Sequence, residues 1–322
     1  MSENQKKIWV TGASSGIGKA VAEKFAREGW KVAVSARRKE LLDEMAKNDN
    51  IFSFPLDVTN FENCKSTFNK IRDQLGDIDI CFLCSGTYDP KKEQELNLEE
   101  NKFVMDVNYF GTLNCVKAVE KYFKEKKAGH ISIVSSIAGY RGLPNSSGYG
   151  PSKAALTNFA ESIYFDFKKY GVRVSVTSPG FIKTPLTDKN EFPMPFLKTP
   201  EYAAEKIFNG LIKSNAFEIH FPKGLTLTLK FLRILPYKIY SDNTSVLFSG
   251  NFVSGAVDQV SYVYKKLGGD VLDIEITEGS VVFIDNYFVT TDIARSFEKN
   301  VYVPRDGKEF EIEVFDNGKS TK

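Results

Sequence analysis

The feature that most constrains this chain is a short apolar run, Lys7–Thr11, that passes directly into Gly12-Ala13-Ser14-Ser15-Gly16-Ile17-Gly18. An apolar run followed at once by closely spaced glycines predicts a strand, a tight turn and the start of a helix. Gly12 permits the turn, Gly16 lets backbone approach a phosphate, and Gly18 lets helix and strand pack closely. Free amides at the helix start, with Ser14, Ser15 and Ile17 around them, then form a cradle for a pyrophosphate. A glycine-rich turn without a ligand reads the same way in isolation. Position at the first strand–helix junction favours the cradle.

Gly12-Ala13-Ser14-Ser15-Gly16 also fits the Gly-x-Ser-x-Gly elbow of α/β serine hydrolases. That chemistry needs an acid and then a histidine later in the chain, and only His130 and His220 are present. The elbow also usually follows several strands rather than the first, so this reading is the weaker one.

The first 245 residues alternate apolar runs with charged amphipathic stretches. Expected strands are 7–11, 31–36, 51–56, 78–84, 130–135, 172–177 and 217–221; expected helices are 19–27, 62–75, 102–123, 154–170 and 201–212. Several strands are apolar almost throughout, which suits a parallel sheet covered on both faces. The expectation is an α/β fold: a Rossmann-like, doubly wound parallel sheet of about seven strands flanked by helices. Residues 250–322 differ in character: 251–322 carry a net charge of −5, leaving +7 on the rest. A helix over 255–267 and alternating runs at 271–276, 281–284 and 310–315 suggest a small C-terminal module, in which no chemical motif is legible.

The overall net charge of +2 gives no electrostatic case for nucleic acid. Four cysteines in 322 residues make no disulfide framework. Cys81 and Cys84 form a CxxC, but on a strand residues three apart face opposite ways, and no second cysteine or histidine cluster completes a metal site. The reading is core packing, no metal, and a reducing cytoplasmic setting. The N-terminus reads as structure rather than a signal peptide.

The second chemical signal is Tyr149-Gly150-Pro151-Ser152-Lys153. Tyr149 and Lys153, four apart at a helix start, share a face. An ammonium beside a phenol is expected to pull the phenol toward neutrality, as an acid/base group needs. Alone, such a pair is most often a surface tyrosine and a solvated lysine.

Together, in this order and on this alternating pattern, the two motifs resemble the short-chain dehydrogenase/reductase family over residues 5–240. Further matches are Ser136, thirteen residues before the tyrosine; Asn108 in Asp-Val-Asn-Tyr-Phe-Gly; and Pro179-Gly180 followed by Ile182 and Thr184. The resemblance implies hydride transfer between a nicotinamide and a carbonyl or alcohol. It implies Tyr149 as acid/base, Lys153 as its partner and ribose ligand, Ser136 as donor to the substrate oxygen, and Asn108 in a proton path behind Lys153. Asp57 and Val58 would line the adenine side and Gly86 the nicotinamide side. The family's Asn-Asn-Ala-Gly stands here as Leu83-Cys84-Ser85-Gly86, without the asparagines that brace the central sheet.

After the second strand the chain reads Val34-Ser35-Ala36-Arg37-Arg38, with no carboxylate to accept ribose hydroxyls. Arg37 would fork onto a 2′-phosphate, with Arg38, Ser14 and Ser15 beside it, which implies NADP(H) rather than NAD. A non-catalytic dinucleotide-binding sensor or scaffold is the alternative from another class. Loop candidates for a hydrophobic carbonyl or alcohol substrate are Tyr140, Leu143, Asn145, Phe181 and 186–196. Residues 225–240, apolar with three basic side chains, are too short to span a bilayer. They read as a packed helix, an oligomer contact or a peripheral membrane helix. The resemblance further implies a homodimer or homotetramer built on the long helices around 102–123 and 154–170.

Overall fold

The computed structural model describes residues 5–191 and 194–234, together with the backbone of two short strands near the C-terminus. Seven strands form one parallel sheet: β1 (Lys7–Thr11), β2 (Lys31–Ser35), β3 (Ile51–Ser53), β4 (Ile80–Leu83), β5 (His130–Val134), β6 (Arg173–Pro179) and β7 (Glu218–Phe221). Their order is β3-β2-β1-β4-β5-β6-β7. This is the doubly wound arrangement expected. The order reverses between β1 and β4, and in such sheets ligands bind in the crevice beyond the carboxyl ends at that switch point.

Pleating distributes each strand between two cores. Ile8 and Val10 of β1 face one core with Val21 and Phe25 of α1 (Gly16–Arg27). Trp9 faces the other, with Phe68 of α3 (Phe61–Leu75) and Phe123. Cys81 belongs to the second core and Cys84 packs against the first, so the two thiols diverge. All four cysteines are free, and among the described residues no group of side chains could hold a metal ion.

The helices depart from expectation in ways that matter for the site. A helix read as 102–123 begins earlier, as α4 (Leu98–Met105), passes through a π turn (Asp106–Phe110), and continues as α5 (Gly111–Lys126). The π turn carries Asn108, and such turns often mark functional positions. The amphipathic segment 154–170 is the body of α6 (Tyr149–Lys168), whose first turn carries Tyr149 and Lys153 as their spacing at a helix start implies. A short α2 (Lys39–Met45) follows Arg38, and α7 (Pro200–Lys213) is capped by Thr199. Residues of the 225–240 segment fall in α8 (Lys223–Ile234), the rest of that segment lying outside the described residues. Among the described residues no helix is long and apolar enough to cross a membrane.

The chain divides into two units, Met1–Thr226 and Leu227–Lys322. In the second, β8 (Val314–Asp316) pairs antiparallel with β9 (Lys319–Thr321). The boundary expected near 245, the helix at 255–267 and the runs at 271–276 and 281–284 lie outside the described residues, as do Phe192 and Pro193 of the 186–196 loop.

Candidate active site

The turn after β1 is shaped by close backbone approach. A Cβ on Gly12, whose φ is +67°, would sit 2.7 Å from the carbonyl oxygen of Cys84; one on Gly18 would sit 2.4 Å from that of Gly12. Neither position accepts a side chain without moving main chain. The α1 N-terminus is left open: Ser15 makes no side-chain cap, and the first turn holds no acidic residue. Uncapped amides and the positive helix end fit an anionic pyrophosphate. Thr184 closes the far side, its methyl 3.0 Å from where a Cβ of Gly16 would lie. Its hydroxyl and backbone engage Thr187, while Ile182 is buried and bridges to Lys198. Pro179 ends β6, and Gly180 N–H donates to Phe221 O at 2.7 Å.

At the end of β2 the two arginines part company. The Arg38 guanidinium donates to Ser14 Oγ at 2.8 and 3.2 Å and to Ser15 Oγ at 2.9 Å. Arg37 instead lends its charge to Asp57. Burial alone would raise that carboxyl, but the Thr59 amide and hydroxyl, with Arg37, hold it below its ordinary value. Val58 is buried, and its carbonyl accepts from Asn114 Nδ2 at 2.9 Å.

The missing asparagines after β4 have a substitute that the sequence did not suggest. Thr11 Oγ1, from the end of β1, accepts the Cys84 and Ser85 amides at 3.1 and 3.3 Å. A β1 hydroxyl thus ties the two strands at the switch point.

The three residues expected to form the acid/base group come together from α6 and the end of β5. Tyr149 starts α6, Lys153 follows one turn later, and Ser136 lies just beyond β5, its hydroxyl bonded to the Tyr149 phenol. Lys153 Nζ sits 5.6 Å from the centroid of the Tyr149 ring and donates to Val134 O at 2.9 Å. Ser135 Oγ anchors the same helix by donating to Lys153 O at 2.8 Å. Asn108 Oδ1 accepts from Thr87 N–H at 2.7 Å, and its Nδ2 donates to Thr87 O and Ser152 Oγ at 3.1 and 3.0 Å. It therefore pins the post-β4 loop to α6. A Cβ on Gly86 would lie 3.4 Å from Asn108 Oδ1 and 3.6 Å from Lys153 Nζ, which puts Gly86 against both.

The electrostatics correct one expectation. The Tyr149 phenol is not drawn toward neutrality but pushed up to about 12, because burial disfavours the phenolate more than the Ser136 hydrogen bond favours it, and Cys84 and Glu93 add to the rise. Lys153 is pushed down to about 8 by burial. Desolvation acts on both partners at once, so the ammonium is weakened along with the phenolate it was expected to stabilise. Cys84, beside both, is raised by burial to about 11 and stays a thiol.

Two neighbours were not legible in the sequence. Tyr88 stacks on Tyr149 with ring centroids 4.6 Å apart and donates to Asn145 O at 2.8 Å. Glu93, from a charged loop in which nothing distinguishes it, accepts the Gly148 and Tyr149 amides. Tyr140 reaches Glu218 Oε1 at 2.6 Å. A groove of about 800 Å³ between α3 and α5 holds none of these residues. The hydrolase alternative finds no support in the histidines' partners. His130 is buried against Ser175 and held down to about 3, while His220 engages Thr226 and Lys223; Ser14 is bonded to Arg38.

A family model described as short chain dehydrogenase matches residues 6–193. An uncharacterized oxidoreductase of Myxococcus xanthus is 34% identical over 236 residues, 72% of this chain and 93% of that protein. A 3-dehydrosphinganine reductase of Danio rerio is 30% identical over 245 residues, 70% of this chain and 74% of that one. Among solved structures, ElxO with NADP bound superposes with a TM-score of 0.60 at 26% identity, covering 67% of this chain and 97% of that chain. With the parallel sheet, the open α1 terminus and the Ser136–Tyr149–Lys153 group already in place, these matches identify the chain as an oxidoreductase belonging to the short-chain dehydrogenase family.

Proposed function

We propose that this protein is an NADP(H)-dependent oxidoreductase that interconverts a carbonyl and an alcohol, with Tyr149 as the acid/base. The observation that carries the reading is the convergence of Ser136, Tyr149 and Lys153. Lys153, only 4% exposed, is paired with no carboxylate among the described residues, a costly arrangement that a simple binder does not need. The open helix start and the Gly12–Gly18 turn fit a pyrophosphate, and the Arg38–Ser14–Ser15 fork fits a 2′-phosphate on the adenosine ribose. The reduced nicotinamide, when bound, supplies the hydride.

The remaining work falls to the chain's own side chains. Ser136 Oγ donates to the substrate oxygen, where negative charge develops during reduction, and the Tyr149 phenol gives that oxygen its proton. Lys153 orients the ribose and offsets the charge left on the phenolate. Asn108, locked to Thr87 and Ser152, holds the loop and helix in register. In oxidation the same proton returns to Tyr149.

A ketone is the favoured substrate class; the relative named 3-dehydrosphinganine reductase and the apolar loop around Leu186, Met194 and Phe196 favour one with apolar character. Exposed Phe110 and Phe165 favour the homodimer or homotetramer read from the sequence, and four free cysteines suit a reducing cytoplasm. A peripheral membrane contact through the 225–240 segment is a subordinate reading. Fluorescence on mixing with NADPH, then loss of reduced-nicotinamide absorbance across a panel of ketones, tests the reading. Binding without turnover on any ketone would favour the non-catalytic sensor or scaffold instead.

A further inference from the structure

Glu93 is a buried carboxylate with an unusual seat. It comes from the loop after β4, is 3% exposed, and reaches across 55 residues of sequence to the start of α6. Its Oε2 accepts Gly148 N–H at 2.8 Å and Tyr149 N–H at 3.1 Å. Gly148, the residue that would ordinarily cap this helix, has no side chain to do so. A carboxylate is well suited to a helix N-terminus, where free amides and the helix dipole both favour negative charge.

A neutral serine or asparagine would also cap α6, without the cost of burying a charge. That cost is visible here. Glu93 Oε1 is buried with no hydrogen-bond partner, and among the described residues Glu93 forms no ion pair. Its acidic neighbours are matched: Glu100 of α4 pairs with Lys92 at 3.1 Å, and Asp89 pairs with Lys189 at 3.3 Å. The other titratable groups around this seat are the phenols of Tyr88 and Tyr149, with Cys84 and Lys153 also beside Tyr149. Among the described residues around this seat, Glu93 is therefore the unmatched carboxylate, held against the Tyr149 backbone.

We propose that Glu93 is a positioning residue for Tyr149: its carboxylate fixes the first turn of the helix that carries Tyr149 and Lys153, and its negative charge keeps the proton on the phenol. A carboxylate seated on the Tyr149 backbone opposes formation of phenolate, and Glu93 does raise the Tyr149 phenol. Burial raises the Glu93 carboxyl itself against the pull of the two amides, with Glu100 and Asp89 adding to the rise. Acidification therefore discharges it earlier than an ordinary glutamate.

The inference rests on the proton-donor role given to Tyr149 above, and its test needs no turnover. In full-length protein labelled with [13C]tyrosine at Cζ, with Y149F identifying the resonance, Tyr149 ionisation is followed by NMR against pH. E93Q keeps an acceptor for the two amides and loses the charge. The Tyr149 midpoint is expected to move down by about 0.5–1 pH unit in E93Q. Superimposable titrations in E93Q and the parent overturn the proposal. Should E93Q not fold, E93N and E93D differ in charge alone: a lower midpoint in E93N supports the proposal and equal midpoints overturn it. If ketone reduction is absent while the E93Q shift is present, hydride transfer falls and the role of Glu93 stands.

Discussion

Lys153 Nζ lies 5.6 Å from the centre of the Tyr149 ring while donating to Val134 O, so the ammonium is tied to the end of β5 and faces the phenol from within the core. With Lys153 near 8 and Tyr149 near 12, the lysine loses its proton first as pH rises. If the charged lysine is the working form, kcat/KM for NADPH-dependent ketone reduction falls on the alkaline side with a midpoint near 8, because kcat/KM reports groups of the free enzyme. A profile flat from pH 7 to about 10 contradicts this.

Tyr149→Phe removes the proposed proton donor and leaves the ring stacked on Tyr88. Turnover is expected to fall by about 10²–10⁴-fold with NADPH affinity retained, measured by absorbance decay and by fluorescence titration. Full activity in this variant would place the proton donor elsewhere.

Lys153→Met trades a buried cation for an apolar chain of similar length. A lysine whose value is depressed in the fold costs stability below about 8, and that cost fades as pH rises toward the unfolded value near 10.5. The variant is therefore expected to gain on the order of 1–3 kcal/mol at neutral pH while losing turnover. Thermal melts at pH 7 and at about pH 10 check the sign, since the gain should shrink at the higher value.

Arg38→Gln removes the guanidinium that spans Ser14 and Ser15. Loss of a charge-assisted pair to phosphate is expected to weaken NADPH by about 10–100-fold and NADH little. Arg37→Gln, at a residue whose charge is directed toward Asp57, should have the smaller effect. Paired titrations with both nucleotides decide; a larger loss in the Arg37 variant would reverse the assignment.

Thr11→Val leaves the Cys84 and Ser85 amides without their acceptor. Unmaking these bonds at the sheet's switch point is expected to cost about 1–3 kcal/mol, with Thr11→Ser near the parent. Chemical denaturation of the two variants gives the comparison.

The parallel sheet was readable because its central strands are buried on both faces and so write themselves as apolar runs, and the crossover helices as amphipathic ones. The α6 start at Tyr149 was legible only through the Tyr149–Lys153 pair, since the amphipathic period sets in at Ala154 and the first turn is capped from a distant loop. The π turn at Asn108 was invisible because one extra residue in a helix hardly disturbs its apolar period. Arg37 and Arg38 are neighbours of identical type, and only the path of the chain into α2 settles which one meets Ser14 and Ser15.

What the sequence determined by itself is the chemistry present: glycines where main chain must pass main chain, and a tyrosine and lysine one helical turn apart, with the serine supplied by the family resemblance. The tertiary structure alone decided how those groups are solvated. Burial acts on the Tyr149–Lys153 pair as a whole, raising the phenol and lowering the amine, and Glu93 arrives from an unremarkable loop to cap their helix. Spacing records which side chains can meet, whereas desolvation depends on everything packed around them, most of it remote along the chain.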